Sequence, residues 1–98
     1  MAGVERGRIS WYGGDFHGRR TASGEAFHRD SLTMAHRTLP FGTRVKVTNL
    51  RNHRYVIVRV TDRGPADTTR IGDVSEAAAK ELGMWRRGLA KARLEVME

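Results

Sequence analysis

Thr43-Arg44-Val45-Lys46-Val47-Thr48-Asn49-Leu50 and Tyr55-Val56-Ile57-Val58-Arg59-Val60-Thr61, separated only by Arg51-Asn52-His53-Arg54, decide the fold class of this chain. In the first segment Val45 and Val47 alternate with Arg44 and Lys46, the period-two pattern of a strand with one buried face. The second is rich in β-branched residues and puts Val56, Val58 and Val60 on one face, Tyr55, Ile57 and Arg59 on the other. So short a spacer leaves room only for a tight hairpin, in which Asn52 is the residue expected to take left-handed backbone.

The same alternation returns at the carboxyl end, where Ala90, Ala92, Leu94 and Val96 interleave with Lys91, Arg93 and Glu95. Two shorter strands are expected at Arg8-Ile9-Ser10-Trp11-Tyr12-Gly13 and Leu32-Thr33-Met34-Ala35-His36. One segment reads as a helix of about two turns. Ser75 is its N-cap, Glu76 and Lys80 stand at i,i+4, and Leu82 is followed by Gly83 as C-cap. Residues 14–27 and 62–71 are long polar connections, and ordered loops of that length in a small domain are usually functional. Several short strands with one helix and no internal repeat point to a mainly β fold. Closing the sheet into a barrel would remove its edges.

The 98 residues suffice for one domain with one modest core, about 9–96. No run of 18 apolar residues occurs, so no transmembrane segment is present, and the first residues lack the apolar stretch of a secretory signal. With no cysteine there is no disulfide framework, no thiolate zinc site and no cysteine nucleophile. The net charge is +7, and fifteen of the eighteen cations are Arg, which favours an anionic partner: nucleic acid, anionic glycan or acidic membrane. The four histidines have no metal-ligand spacing, no phosphate-cradling glycine loop follows a strand, and no serine lies in a nucleophile elbow. No metal or other cofactor is implied.

Asp62 stands at the end of the longest apolar strand, where Gly64 and Pro65 turn the chain away, a position able to hold a catalytic carboxylate; the bland alternative is a turn-forming Asp. Glu25, in Thr21-Ala22-Ser23-Gly24-Glu25, and His36, at another strand end, complete a set able to move a proton to and from a glycosidic oxygen. Their alternatives are a solvated loop charge and a histidine satisfied by backbone. Trp11 and Tyr12 must face opposite ways, one inward and one toward a groove, and most of the seven aromatics are expected in the core.

Taken in order, Ser10-Trp11-Tyr12-Gly13, Phe16 through Phe27, Thr33 through Thr43, Val47-Thr48-Asn49-Leu50 and Asp62-Arg63-Gly64-Pro65 resemble the rare lipoprotein A family of septal lytic transglycosylases, over about 9–96. The resemblance implies a six-stranded double-psi β-barrel related to expansins. It implies a peptidoglycan lytic transglycosylase that cleaves between N-acetylmuramic acid and N-acetylglucosamine and leaves a 1,6-anhydro product. Its partners would be glycan strands rather than nucleic acid, met by a monomer, in a periplasmic, extracellular or outer-membrane lipoprotein parent whose signal and anchor are not in this chain. The family's catalytic Asp falls on Asp62, and its accompanying Glu and His on Glu25 and His36. Tyr12, Thr21, Ser23 and Arg63 are the groove contacts expected beside them, with Glu25 the charge that would keep a proton on Asp62.

Three positions depart from the family pattern. Met34 stands where a second Ala is usual, His53 replaces the hairpin Gly after Asn52, and Gly72 stands where a bulky apolar residue is common, which would loosen the wall near Asp73. Asp73 is a second acidic candidate, read as a cap beside Ser75. A non-catalytic glycan-binding module and a nucleic-acid binder with steep salt dependence are the competing functional readings.

Overall fold

The computed structural model describes residues 3–97. Six strands close into a barrel: β1 (Val4–Tyr12), β2 (Thr33–Ala35), β3 (Arg44–Asn49), β4 (Tyr55–Asp62), β5 (Arg70–Ser75) and β6 (Leu89–Met97), in spatial order β1-β5-β2-β4-β3-β6. The β1–β5 and β2–β4 pairs are parallel and the other four are antiparallel. This is the mainly β barrel with one short helix expected from the residue pattern, with the six strands that the family resemblance implies.

The alternating segments behave as their pattern requires. Val45, Val47, Val56, Val58, Val60, Ala92 and Leu94 point inward and are buried, while Lys91, Arg59 and Tyr55 face out. Helix α1 (Glu76–Glu81) lays Ala78 and Ala79 on the barrel, and the Ser75 hydroxyl accepts from the Ala78 amide as the N-cap. Its last turn is held by the β3–β4 hairpin, since the side-chain amides of Asn49 and Asn52 both donate to the Leu82 carbonyl.

Four expectations are corrected. Residues 70–75 form β5, not the end of a loop; its inward positions include Gly72, which has no side chain, so the strand lacks the apolar alternation that reveals the others. Strand β1 begins at Val4 instead of Arg8, because residues 4–8 gain their ladder from β6 and need no apolar pattern. The left-handed hairpin residue is His53, φ +63°, and Asn52 instead accepts from the Arg54 amide. Finally the core is aliphatic: of the aromatics only Phe27 is buried, whereas Phe16, Phe41, Tyr55 and Trp85 are exposed.

Gly72 does not loosen the wall, because the other departure fills it. A β-carbon on Gly72 would lie 2.6 Å from the terminal methyl of Met34 and 3.3 Å from the Ala35 carbonyl oxygen. The long side chain at Met34, fully buried, occupies the volume that a bulky residue at 72 would otherwise hold.

Two stability measurements check this. Met34→Ala should cost about 2–5 kcal/mol through its cavity and Gly72→Val about 1–3 kcal/mol through overpacking. The double variant should recover much of both in urea unfolding, and simple additivity of the two losses would refute the compensation. His53→Gly relieves a left-handed backbone that L-residues adopt at a cost of about 1 kcal/mol, and should raise Tm by a few degrees, about 4 °C or more.

Candidate active site

Because β2 is only three residues long and lies between β4 and β5, Ala35 pairs with Asp62 on one side and Asp73 on the other. The two acids are therefore two strand spacings apart, about 9–10 Å between α-carbons. With Tyr12 from the end of β1 they line one groove of about 550 Å³, closed by residues of the 14–27 connection and the 63–66 turn.

The 14–27 connection is a folded hairpin. The Gly18 amide donates to the Phe27 carbonyl and the Phe27 amide to the Arg19 carbonyl, Arg20 pairs with Ala26, and the Thr21 amide donates to the Glu25 carbonyl. Its tip docks on the end of β4: the Ser23 amide donates to the Thr61 carbonyl, and the Ala22 amide donates to Asp62 Oδ1 at 3.0 Å. Asp62 Oδ1 also accepts from the Arg63 amide at 2.8 Å. One carboxylate oxygen is thus fixed by two backbone donors, while Oδ2 has no protein partner among the described residues and is the atom left for a ligand.

Tyr12 stands beside both acids. Burial, and then the negative charges of Asp62 and Asp73, push its phenol well above the ordinary range, so the group stays an O–H donor. That hydroxyl is buried near those of Thr33 and Thr61, yet it and the Thr33 hydroxyl have no partner in hydrogen-bonding geometry. The ring packs on Phe27 with centroids 4.5 Å apart and forms a T-shaped pair with exposed Phe16. Trp11 projects to the other face of β1, as strand geometry demands, and stacks on Trp85.

The other expected site residues are placed differently. The Glu25 carboxylate is held bidentately by Arg59 at 2.8 and 2.9 Å, outside the groove residues. Its hydrogen bonds from Arg59 hold it below the usual glutamate range, and with its charge so engaged, the acidic neighbour of Asp62 in the groove is Asp73. The His36 ring is buried against a different part of the barrel: Nδ1 accepts from the Thr38 and Leu39 amides at 3.1 Å, so Nε2 carries the proton and donates to Glu5 Oε1 at 2.9 Å. Its backbone does reach the site, since the His36 amide donates to the Asp62 carbonyl at 3.1 Å.

Thr21 and Arg63 line the groove; Ser23 does not. The Thr21 hydroxyl bonds the Glu25 carbonyl and pairs with Ser23 Oγ, so both serve the hairpin. Arg63 donates to the carbonyls of Leu39 and His36 and stacks on exposed Phe41, 4.0 Å from the ring centre. Asp73 is no helix cap: it accepts from Ser10 Oγ and from Arg70 Nε. Arg19 and Arg20, which also line the groove, carry only the general signal of an Arg-rich loop in the sequence.

The Glu25–Arg59 pair is about half exposed, so its direct worth is under about 1 kcal/mol. Because the carboxyl's value is lowered in the fold, that contribution is present at neutral pH and is lost as pH drops below the ordinary glutamate value of about 4.3 and through the lowered one. Glu25→Gln and Arg59→Gln should each raise amide exchange at Ala22 and Ser23, and the double variant should do no more than either alone. Additive effects would mean that the two side chains act separately.

Comparison with known proteins agrees with this architecture. Residues 4–94 match the lytic transglycolase domain family. A Campylobacter jejuni protein named endolytic peptidoglycan transglycosylase RlpA is 52% identical over 93% of this chain and 33% of its own length. The Neisseria meningitidis protein of that name is 50% identical over 94% of the chain and 38% of its length, so the chain spans about a third of these relatives. Among solved structures, the expansin of Clavibacter michiganensis superposes with a TM-score of 0.76 at 19% identity, covering 97% of this chain and 50% of the expansin, a shared double-psi barrel fold. On the match over 4–94, this chain belongs to the lytic transglycolase family.

Proposed function

We propose that this domain is a peptidoglycan lytic transglycosylase of the cell envelope, cutting the bond between N-acetylmuramic acid and N-acetylglucosamine. The single observation that carries the reading is Asp62: its Oδ1 is anchored by two backbone amides at the end of a buried strand, and its Oδ2 is unpartnered beside an open groove. The names of relatives about half identical over nearly the whole chain support it.

One carboxyl suffices for this chemistry. Asp62 gives its proton to the glycosidic oxygen as the bond to C1 breaks. The resulting carboxylate takes the proton of the muramic acid 6-hydroxyl while that oxygen bonds to C1. The 1,6-anhydro ring closes and Asp62 regains its proton, so water is not consumed. The Tyr12 ring lines the groove beside Asp62, and exposed Phe16 offers a ring face. Glu25 and His36 are positioning residues on this geometry. Glu25 steadies the hairpin that carries the Ala22 amide, and His36 orders the 36–39 segment that receives the Arg63 side chain. Thr21 and Ser23 shape the same hairpin.

The test is digestion of purified glycan strands by the domain and by Asp62→Asn, with products identified by mass spectrometry. Anhydro-muramyl ends from the wild type, falling by about 100-fold or more in Asp62→Asn, are expected. Equal cleavage by both would remove Asp62 from the chemistry, and strands bound but never cut would make the domain a glycan-binding module.

A further inference from the structure

The outer face of the barrel at β1 and β6 carries an arrangement that strand pairing alone does not favour. The register sets Arg6 opposite Arg93 and Arg8 opposite Lys91, like charges directly across an antiparallel ladder, and such pairs are destabilising in isolation. Among the described residues Arg93 is the one of these four in an ion pair, with Glu95 at 3.0 Å, and Arg8 has the charge of Asp67 near it. Arg51 from the β3–β4 hairpin and Arg87 from the turn before β6 join Arg8 and Lys91 around a groove of about 630 Å³ with no acid among its lining residues. A second groove of about 450 Å³ continues the face past Arg6. Among the described residues, Arg6, Arg8, Arg51, Arg87 and Lys91 make no ion pair. No residue lining this basic groove lines the Asp62 groove.

We propose that this face is a second binding surface, for the carboxylates of the peptides carried by a peptidoglycan strand. The inference rests on the wall-directed reading above and extends it from the cleaved glycan to the peptide-bearing mesh around it. Four of the five free cations are Arg, whose planar fork pairs bidentately with carboxylates. Several separate charges spread over two strands and two turns suit several carboxylates on flexible peptides better than one compact ion. The groove is lined by no aromatic ring, so it lacks the stacking platform that single-stranded nucleic acid uses. A bound polyanion would also relieve the repulsion between Arg8 and Lys91.

The experiment measures co-sedimentation in the Asp62→Asn background, where nothing is cut, with intact peptide-bearing sacculi, amidase-stripped glycan strands and duplex DNA. The parent should prefer peptide-bearing sacculi over stripped strands, more weakly as salt rises from about 50 to 200 mM. Arg8→Gln/Lys91→Gln and, independently, Arg51→Gln/Arg87→Gln should each weaken sacculus binding by about tenfold or more with unchanged circular dichroism and unchanged binding to stripped strands. Two pairs on different elements keep the test open if one variant folds poorly. Undiminished sacculus binding by both variants, or equal binding of peptide-bearing and stripped strands, would overturn the proposal. DNA bound more tightly than sacculi, and lost in the same variants, would reassign the face to nucleic acid. The same Gln pairs made with Asp62 intact should cleave stripped strands at the wild-type rate. If the wild type cuts nothing while the binding pattern holds, the transglycosylase reading falls and this one stands.

Discussion

Strand β2 is the constraint on which the site depends. Its three residues are all buried, it pairs in parallel with β4 and antiparallel with β5, and through Ala35 it holds Asp62 and Asp73 at a separation set by the sheet itself. Backbone ladders are far stiffer than side-chain contacts, so two carboxylates placed this way cannot drift together or apart without unzipping the barrel. Everything else near the groove refines that placement. The hairpin of residues 14–27 brings one amide to Asp62, and the turn after β4 brings another.

Polar side chains around the groove mostly work on one another. Glu25 serves Arg59, His36 serves two amides and Glu5, Arg63 serves two carbonyls and Phe41, and Asp73 serves Ser10 and Arg70. Those partnerships leave few free groups: among the described residues Asp62 Oδ2 has no protein partner, since both donors go to Oδ1, and the buried hydroxyls of Tyr12 and Thr33 have none in hydrogen-bonding geometry. A residue can therefore matter to a reaction without approaching it, by ordering the segment that does. Glu25 and His36 fit that description better than they fit a proton-transfer set meeting at one atom.

The barrel wall shows how tolerant such a frame is to sequence change. Met34 and Gly72 each look unfavourable alone, one too large and the other too small, but they lie on paired strands and share one volume. Close packing makes the pair, not either residue, the unit that is constrained. The surface follows a different logic: charges on β1 and β6 face water, so repulsion between them is screened and the fold accommodates it.

What the sequence determined is what local chemistry can determine. Alternation of Val with Lys and Arg set β3, β4 and β6, Ser75 set the start of α1, and Asp62 was legible because it follows the longest apolar strand and precedes a Gly-Pro turn. The ordered motifs carried the family and with it the barrel. The tertiary structure alone decided the rest, because each remaining feature depends on segments far apart in the chain. Strand β5 exists through its partners β1 and β2, since Gly72 erases its own pattern. Glu25 meets Arg59 across 34 residues and His36 meets Glu5 across 31, so neither side-chain direction is encoded near its own position. Asp73 enters the groove for the same reason: β2 brings it opposite Ala35, and no local spacing measures that distance.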